Sequence, residues 1–298
     1  MNQPEISLII CSYNRVKFVP TCLQSCLDQT LDSSRYEVLF INNNCNDGTT
    51  ELVDRFIQDH PDLKIRQVVE TQQGLSYARN RGIEEANAPI ITYMDDDGVA
   101  DPDLLDNILN HFKSNPDTAG VGGKVIPIYE SEEPRWYNPF LRMMVTKIDF
   151  GDKIFKAKGK RYPAGCNMTY KKELLIESGG FNNALKWRTD DKYIFNEVAK
   201  LNDNIFYLPQ LRVQHHIDDV RITDENFDRL SRLLGSEERL RVKSDPNESF
   251  LAKCIEYIFK YKASILIAIG FALKGQWIKG RYTIRFRWLA LKGLLDWK

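Results

Sequence analysis

Apolar positions in the first hundred residues come in short runs. Ile6-Ser-Leu-Ile-Ile10, Glu37-Val-Leu-Phe-Ile41, Lys64–Val69 and Pro89–Met94 are each five or six residues long, the length of a buried strand. Between them, Val16–Gln29, Thr50–Gln58 and Gly74–Ala86 suit helices. This alternation predicts an α/β fold with a parallel sheet covered on both faces. In such sheets ligands bind beyond the carboxyl ends of the strands. The residues just after each strand are therefore the informative ones: Ser12-Tyr-Asn-Arg15, Asn42-Asn-Asn-Cys-Asn-Asp-Gly48 and Asp95-Asp-Asp-Gly98. All three loops are polar.

Later residues are less regular. Asp101-Pro102-Asp103 reads as an N-cap, a proline at the first helical position and a first-turn acid, opening a helix to about Ser114. Val121–Ile128 suits a strand. Residues 129–163 are rich in aromatics, Lys and Pro, with Trp136, Tyr137 and Phe140 close together. A helix over Lys171–Ser178 is stopped by Gly179-Gly180. Further helices are expected over about Asp191–Leu201 and Asp224–Val242, and a basic tail begins near Phe250.

The apolar fraction of 43% and charged fraction of 28% are those of a soluble globular protein. Net charge is zero, so no whole-chain field favours nucleic acid. The zero hides an asymmetry: residues 251–298 hold ten Lys or Arg against Glu256 and Asp296, leaving −8 on the rest. The start, MNQPEISLII, does not read as a signal peptide. The longest apolar stretch, Ala263–Leu273, is eleven residues, about 16 Å of helix against a hydrocarbon core of roughly 30 Å. In the tail, Lys253, Glu256, Lys260 and Ser264 recur at helical spacing as a polar stripe, with Ile255, Ile258, Phe259, Leu266 and Ile269 mostly away from it. Arg281, Arg285, Arg287 and Lys292 mix with Trp277, Trp288 and Trp297, which suits an interfacial helix. Two expectations stand for this tail: docking on an anionic membrane surface without crossing it, or packing on the acidic remainder of the chain. The cysteines Cys11, Cys22, Cys26, Cys45, Cys166 and Cys254 match neither a disulfide framework nor a zinc ribbon. Buried free thiols in a reducing cytoplasm are expected.

Asp95-Asp96-Asp97 is the sharpest chemical signal. On an extended backbone, residues two apart point the same way, so Asp95 and Asp97 present two carboxylates on one side. Like charges this close raise each other's pKa unless a cation joins them. Hard oxygen donors favour Mn²⁺ or Mg²⁺, with diphosphate oxygens completing the shell. The plainer reading is a solvated acidic turn leading to Asp101. Asp190-Asp191 opens a predicted helix, either as first-turn acids complementing its dipole or as a general base for an acceptor hydroxyl. Adjacent His215 and His216 point in different directions, so at most one joins a given metal. Asn42, Asn43, Asn44 and Asp47 can bond a base or ribose, or only shape a turn. Arg79 reaches phosphate or decorates a helix surface. No strand is followed by a G-x-G-x-x-G or Walker lysine loop.

Taken in order, several stretches resemble the family 2 glycosyltransferases of the GT-A fold, of the bacterial polysaccharide-biosynthesis type. They are Ser7–Arg15, Asn42–Thr49, Gly74–Ile83, Tyr93–Asp97 with Pro102, Gly165-Cys-Asn167, Gly179-Gly-Phe181 with Asp190-Asp191, and Val213-Gln-His215. The likeness runs over roughly residues 5–217. It implies a GT-A-like, mainly parallel sheet with a helical tail. It divides the chain into a nucleotide-sugar-binding half at 1–98, an acceptor-binding and catalytic half at 99–222, and a basic helical region at 223–298. Asp95 and Asp97 resemble the family's metal and diphosphate motif, with His215 near the metal and Mn²⁺ or Mg²⁺ as cofactor. Thr189-Asp190-Asp191 resembles its base motif, pointing to Asp191 with Asp190 beside it. Cys11, Tyr13, Asn42, Asn43, Asp47, Arg79 and Asp96 are expected around the nucleotide, a UDP-sugar being favoured.

The implied reaction is a metal-dependent, inverting sugar transfer to a sugar or lipid-linked acceptor, in cell-surface polysaccharide or glycolipid synthesis on the cytoplasmic side. Two departures stand out. Asn42 and Asn43 occupy positions where the family often has Asp, and Asp190 replaces a commoner Glu. Two other classes stay open. A nucleotide-binding scaffold is marked by loss of the metal Asp or the base, and both are present. A sugar nucleotidyltransferase resembles a Gly-rich first loop, and Cys11–Arg15 holds no glycine.

Overall fold

The computed structural model describes residues 3–185, 189–244, 246 and 248–296. Trp297 of the basic tail and residues 186–188 lie outside them. The first four strands form where the apolar runs predict: β1 (Ile6–Ser12), β2 (Tyr36–Asn42), β3 (Ile65–Val69) and β4 (Ile90–Asp95). The helices α1 (Val19–Leu27), α2 (Thr49–Asp59) and α3 (Leu75–Glu85) connect them. The pairs β1–β2, β2–β3 and β1–β4 are all parallel.

Beyond β4 the pairing turns antiparallel, so the sheet is mixed. β5 (Gly98–Ala100) is followed by α4 (Leu104–Ser114), β6 (Gly120–Tyr129), β7 (Phe155–Lys156), β8 (Met168–Lys171), α5 (Lys172–Glu177), α6 (Asp190–Leu201) and β9 (Ile205–Ile217). β8 runs antiparallel to β4 and β6, and β9 antiparallel to β5 and β7. The order is β3-β2-β1-β4-β8-β6-β9-β5. Helix α4 starts later than the Asp101-Pro102 reading, with Asp103 as its cap residue and no side-chain cap bond. The Asp101 carbonyl instead accepts from the Leu104 N–H at 3.0 Å, and its N–H bonds the Arg212 carbonyl at 3.1 Å.

Side chains alternate across a strand, and the core divides accordingly. Ile6, Leu8, Ile10, Val38 and Phe40 bury one face beneath α1, α2 and α4. Ile9, Leu39, Ile41, Ile91 and Tyr93 bury the other beneath α3, α5 and α6. With both faces covered, the loops at the carboxyl ends of β1, β2 and β4 are what the parallel half presents to a ligand.

The chain forms two compact units. Among the described residues, one comprises 3–126, 148–185 and 190–216; the other comprises 127–147, 189 and those of 217–296. The second unit contains α7 (Asp224–Ser244), α8 (Phe250–Leu273) and α9 (Trp277–Leu295). Its core joins Trp136, Leu141, Phe227, Leu230 and Phe286. Helices α7 and α9 cross closely at Gly235 and Gly293, where an added Cβ would strike the opposing backbone.

In α8 the polar stripe turns inward. Lys253 pairs with Glu256 at 2.9 Å and reaches Glu238 of α7 at 3.3 Å, Lys260 also pairs with Glu256, and Ser264 is buried. The apolar stripe is left outside: Leu251, Ile255, Phe259, Leu266 and Leu273 are all at least 60% exposed.

Candidate functional site

Register brings the predicted loops to one sheet edge. Cys11 lies beside both Ile41 and Asp95, and Ser12 beside Asn42. The first two loops are stitched together by side chains. Asp47 accepts from the Val16 N–H at 2.9 Å, Asn14 accepts from the Asn46 N–H at 2.8 Å, and the Asn14 N–H donates to the Cys45 sulfur at 3.4 Å. Asp47 also accepts from the Thr49 hydroxyl at 2.6 Å, and its carboxyl lies below the usual range because these donors outweigh its partial burial. Tyr13 stands out from this stitched pair, half exposed.

The asparagines serve the fold. Asn42 donates to the Thr50 hydroxyl at 2.8 Å and to Gln67 at 3.1 Å, and accepts from the Cys45 N–H at 2.8 Å. Asn43 donates to the Glu70 and Gln72 carbonyls at 3.0 and 2.7 Å, and accepts from the Gly74 N–H at 2.8 Å. Two carbonyls facing one side chain require a donor, which a carboxylate lacks. That is a physical reason for Asn where Asp is commoner. Asn44 likewise donates to the Thr71 carbonyl at 2.7 Å.

Arg79, in α3, is buried among the acids rather than on a helix surface. One guanidinium nitrogen pairs with Asp190, and another lies 3.3 Å from Asp95. Its approach depends on Gly165, where a Cβ would collide with the guanidinium. Asp190 is thus committed to a buried cation. Asp191 is bound by backbone instead: its carboxylate accepts from the Lys192 N–H at 2.7 Å and the Gly165 N–H at 3.2 Å. Burial, and then the neighbouring Asp190 charge, push the Asp191 carboxyl up to about 7.

The Asp triplet has three environments. Asp95 is the most open, with its side chain 34% exposed. Asp96 is buried, and desolvation and then the Asp97 charge raise its carboxyl to about 8. Asp97 pairs with Arg15, and its Oδ1 lies 3.1 Å from His215 Nε2. Strand pairing sets Gly98 opposite His215, and alternation along β9 buries His215 while His216 turns towards the Phe18 ring. His215 Nδ1 is buried without a hydrogen-bond partner. Ligand atoms of Asp95, His215 and Cys166 all lie within 4.8 Å of one another. A buried imidazole nitrogen lacking a partner, beside a carboxylate and a thiol, fits a divalent cation. Cys11, at the end of β1, is partly buried beside Arg79 and Asp95, and burial raises its thiol strongly.

The model for glycosyl transferase family 2 matches residues 7–179, more than half the chain. This chain belongs to that family. Among relatives of the family 2 transferase, a glucosyl-dolichyl phosphate glucuronosyltransferase from Haloferax volcanii is 24% identical, covering 73% of this chain and 71% of the relative. A dolichyl N-acetyl-α-D-glucosaminyl phosphate 3-β-D-2,3-diacetamido-2,3-dideoxy-β-D-glucuronosyltransferase from Methanococcus voltae is 27% identical, covering 69% of this chain and 58% of the relative. The fold is shared with a mannosyltransferase from Pyrobaculum calidifontis solved with GDP-Man and Mn²⁺, at a TM-score of 0.68, 19% identity and coverage of 100% and 89%. It is shared also with TarS of S. aureus, at a TM-score of 0.57, 16% identity and coverage of 78% and 65%.

The family match ends before Asp190, Asp191 and His215, and the structure brings them beside the matched Arg79 and Asp95. Two residues of the family 2 transferase's site lay inside recognised stretches without a role: Arg15, closing the first loop, and Cys166, in Gly165-Cys-Asn167. For Arg15 the position after β1 was the signal. For Cys166, spacing among cysteines was uninformative, because its neighbours in space are Asp95 and His215.

Proposed function

We propose that this family 2 transferase moves a sugar from a nucleoside diphosphate to a hydroxyl of a lipid-linked acceptor, with inversion. The observation that carries this reading is the unequal treatment of the two helix-opening acids: Arg79 pairs directly with Asp190, while Asp191 is held by backbone amides and feels the Arg79 charge only at longer range. A carboxylate held in place by backbone amides and raised towards neutrality suits a general base. Asp191 takes the acceptor proton as the acceptor oxygen forms its bond to the anomeric carbon, and the diphosphate departs with the electrons of the broken bond. Asp95, Asp97 and His215 would hold Mn²⁺ or Mg²⁺, which stabilises the leaving diphosphate as a fixed positive charge. Arg79 keeps Asp95 and Asp191's neighbour at a set separation, so donor side and acceptor side are aligned by one buried guanidinium. Tyr13 offers an exposed ring to the base, and uridine is the favoured nucleoside.

The acceptor class is supported by the two relatives named for dolichyl phosphate sugars and by the outward face of α8. No described helix is long and apolar enough to cross a membrane. An exposed apolar stripe ending at Lys274 and the exposed Trp277 suits a helix lying in the interface of an anionic leaflet, here the cytoplasmic one. The test is direct. Asp191→Asn keeps shape but cannot accept the proton, so turnover should fall by about 10² or more with donor affinity nearly unchanged. Donors are found by calorimetry with UDP- and GDP-sugars, with and without Mn²⁺. An active Asp191→Asn enzyme alongside a dead but folded Asp190→Asn would reverse the roles.

A further inference from the structure

We propose that Cys166 is a protein ligand of the divalent cation, so that the site has a sulfur face and discriminates against Mg²⁺. The inference rests on the reading of Asp95 and His215 as metal ligands and goes beyond it. Three observations carry it. First, the Cys166 sulfur, an Asp95 oxygen and a His215 ring nitrogen lie within 4.8 Å of one another, about the span of two metal–ligand bonds of roughly 2.0–2.3 Å each once the side chains settle on an ion. Second, His215 is 1% exposed and its Nδ1 has no hydrogen-bond partner, while its Nε2 faces Asp97. The unpartnered imidazole nitrogen is thus left open to a cation. Third, the thiol differs from those of three of the five other cysteines. Cys22, Cys26 and Cys45 each have a backbone carbonyl as acceptor, at 3.7, 3.4 and 3.4 Å. Cys166 has none among the described residues.

The loop holding this sulfur is tied down by hydrogen bonds. The Asn167 N–H bonds the Ala164 carbonyl at 2.8 Å, and the Asn167 side chain donates to the Lys124 and Leu211 carbonyls at 3.0 and 3.1 Å. Arg79 fills the space left by Gly165. Coordination replaces the thiol proton, which passes to solvent, and leaves a thiolate on the ion. Mg²⁺ demands oxygen donors and octahedral geometry, whereas a carboxylate, imidazole and thiolate set suits transition ions in the order Mn²⁺ below Co²⁺ and Zn²⁺.

The experiment uses the full chain with one equivalent of Co²⁺, Zn²⁺, Mn²⁺ or Mg²⁺ and saturating nucleoside diphosphate. The Co²⁺ protein should show a sulfur-to-cobalt charge-transfer band, and X-ray absorption of the Zn²⁺ protein one sulfur at about 2.3 Å. Both should vanish in Cys166→Ser, with Mn²⁺ affinity falling by at least about tenfold and Mg²⁺ affinity little changed. The absorption measurement needs only the native chain, so a poorly folding variant does not blunt the test. Ion binding with no sulfur scatterer, or an unchanged Mn²⁺-to-Mg²⁺ preference in Cys166→Ser, overturns the role of Cys166 and leaves the metal site standing. Failure of every ion to bind, with or without nucleoside diphosphate, overturns both readings.

Discussion

At the scale of residues, charge is allotted pair by pair. Asp190 and Asp191 are chemically identical neighbours, yet Arg79 is bound to one of them and backbone N–H groups to the other. The pH profile should report this. A carboxyl raised to about 7 is protonated below that pH and cannot accept a proton. Turnover should therefore climb as pH rises through about 7 and then level off, and Asp191→Asn should lose that rising limb. A wild-type limb near pH 4, the ordinary carboxylate range, would count against Asp191 as base. Asn43 gives a stability counterpart. Asn43→Asp would set a carboxylate against the Glu70 and Gln72 carbonyls, with an expected cost of about 1–3 kcal/mol. Denaturant unfolding measures it, and a variant as stable as the parent would show that the loop accommodates the charge.

At the scale of elements, α8 and α9 divide the work that the basic tail's composition left undecided. α9 buries Phe286, Leu289, Leu291 and Leu294 within its own unit, while α8 buries only Ser264. If the outward stripe of α8 docks on lipid, the full chain should float with phosphatidylglycerol-rich vesicles at low salt. Phe259→Glu with Leu266→Glu should abolish flotation while leaving donor binding intact, since neither side chain supports the core. Equal flotation of the double variant would refute this, and a concentration-dependent dimer broken by the same changes would assign the stripe to a second copy of the chain.

At the scale of the whole molecule, the two units have separable cores. Both clusters flanking the sheet end by Val213, whereas the second unit's core depends on Phe286. Ending the chain at Ser249 should strip the partners of Phe227 and Leu230, so hydrogen exchange in α7 should become fast while amides of β1, β2 and β4 stay protected. Loss of protection in both sets together would mean that the units fold as one.

Local patterning decided a good deal. Short apolar runs located the first four strands, and the stretches between them the helices, because burying a strand's side chains is a short-range demand. The order of strand and polar loop then placed Asp95 to Asp97 at the sheet edge before any contact was known. Position after a strand is a property of the chain itself, and so was the family likeness of those stretches. Other features arise only when distant segments meet. Arg79 finds Asp190 across 111 residues, and Cys166 comes beside Asp95 and His215 through the antiparallel return of β8 and β9. The polar stripe of α8 faces inward because Glu238 of α7 waits there for Lys253. Periodicity tells that a helix has two faces; which of them meets protein depends on what the rest of the chain sets against it, and that is decided by packing.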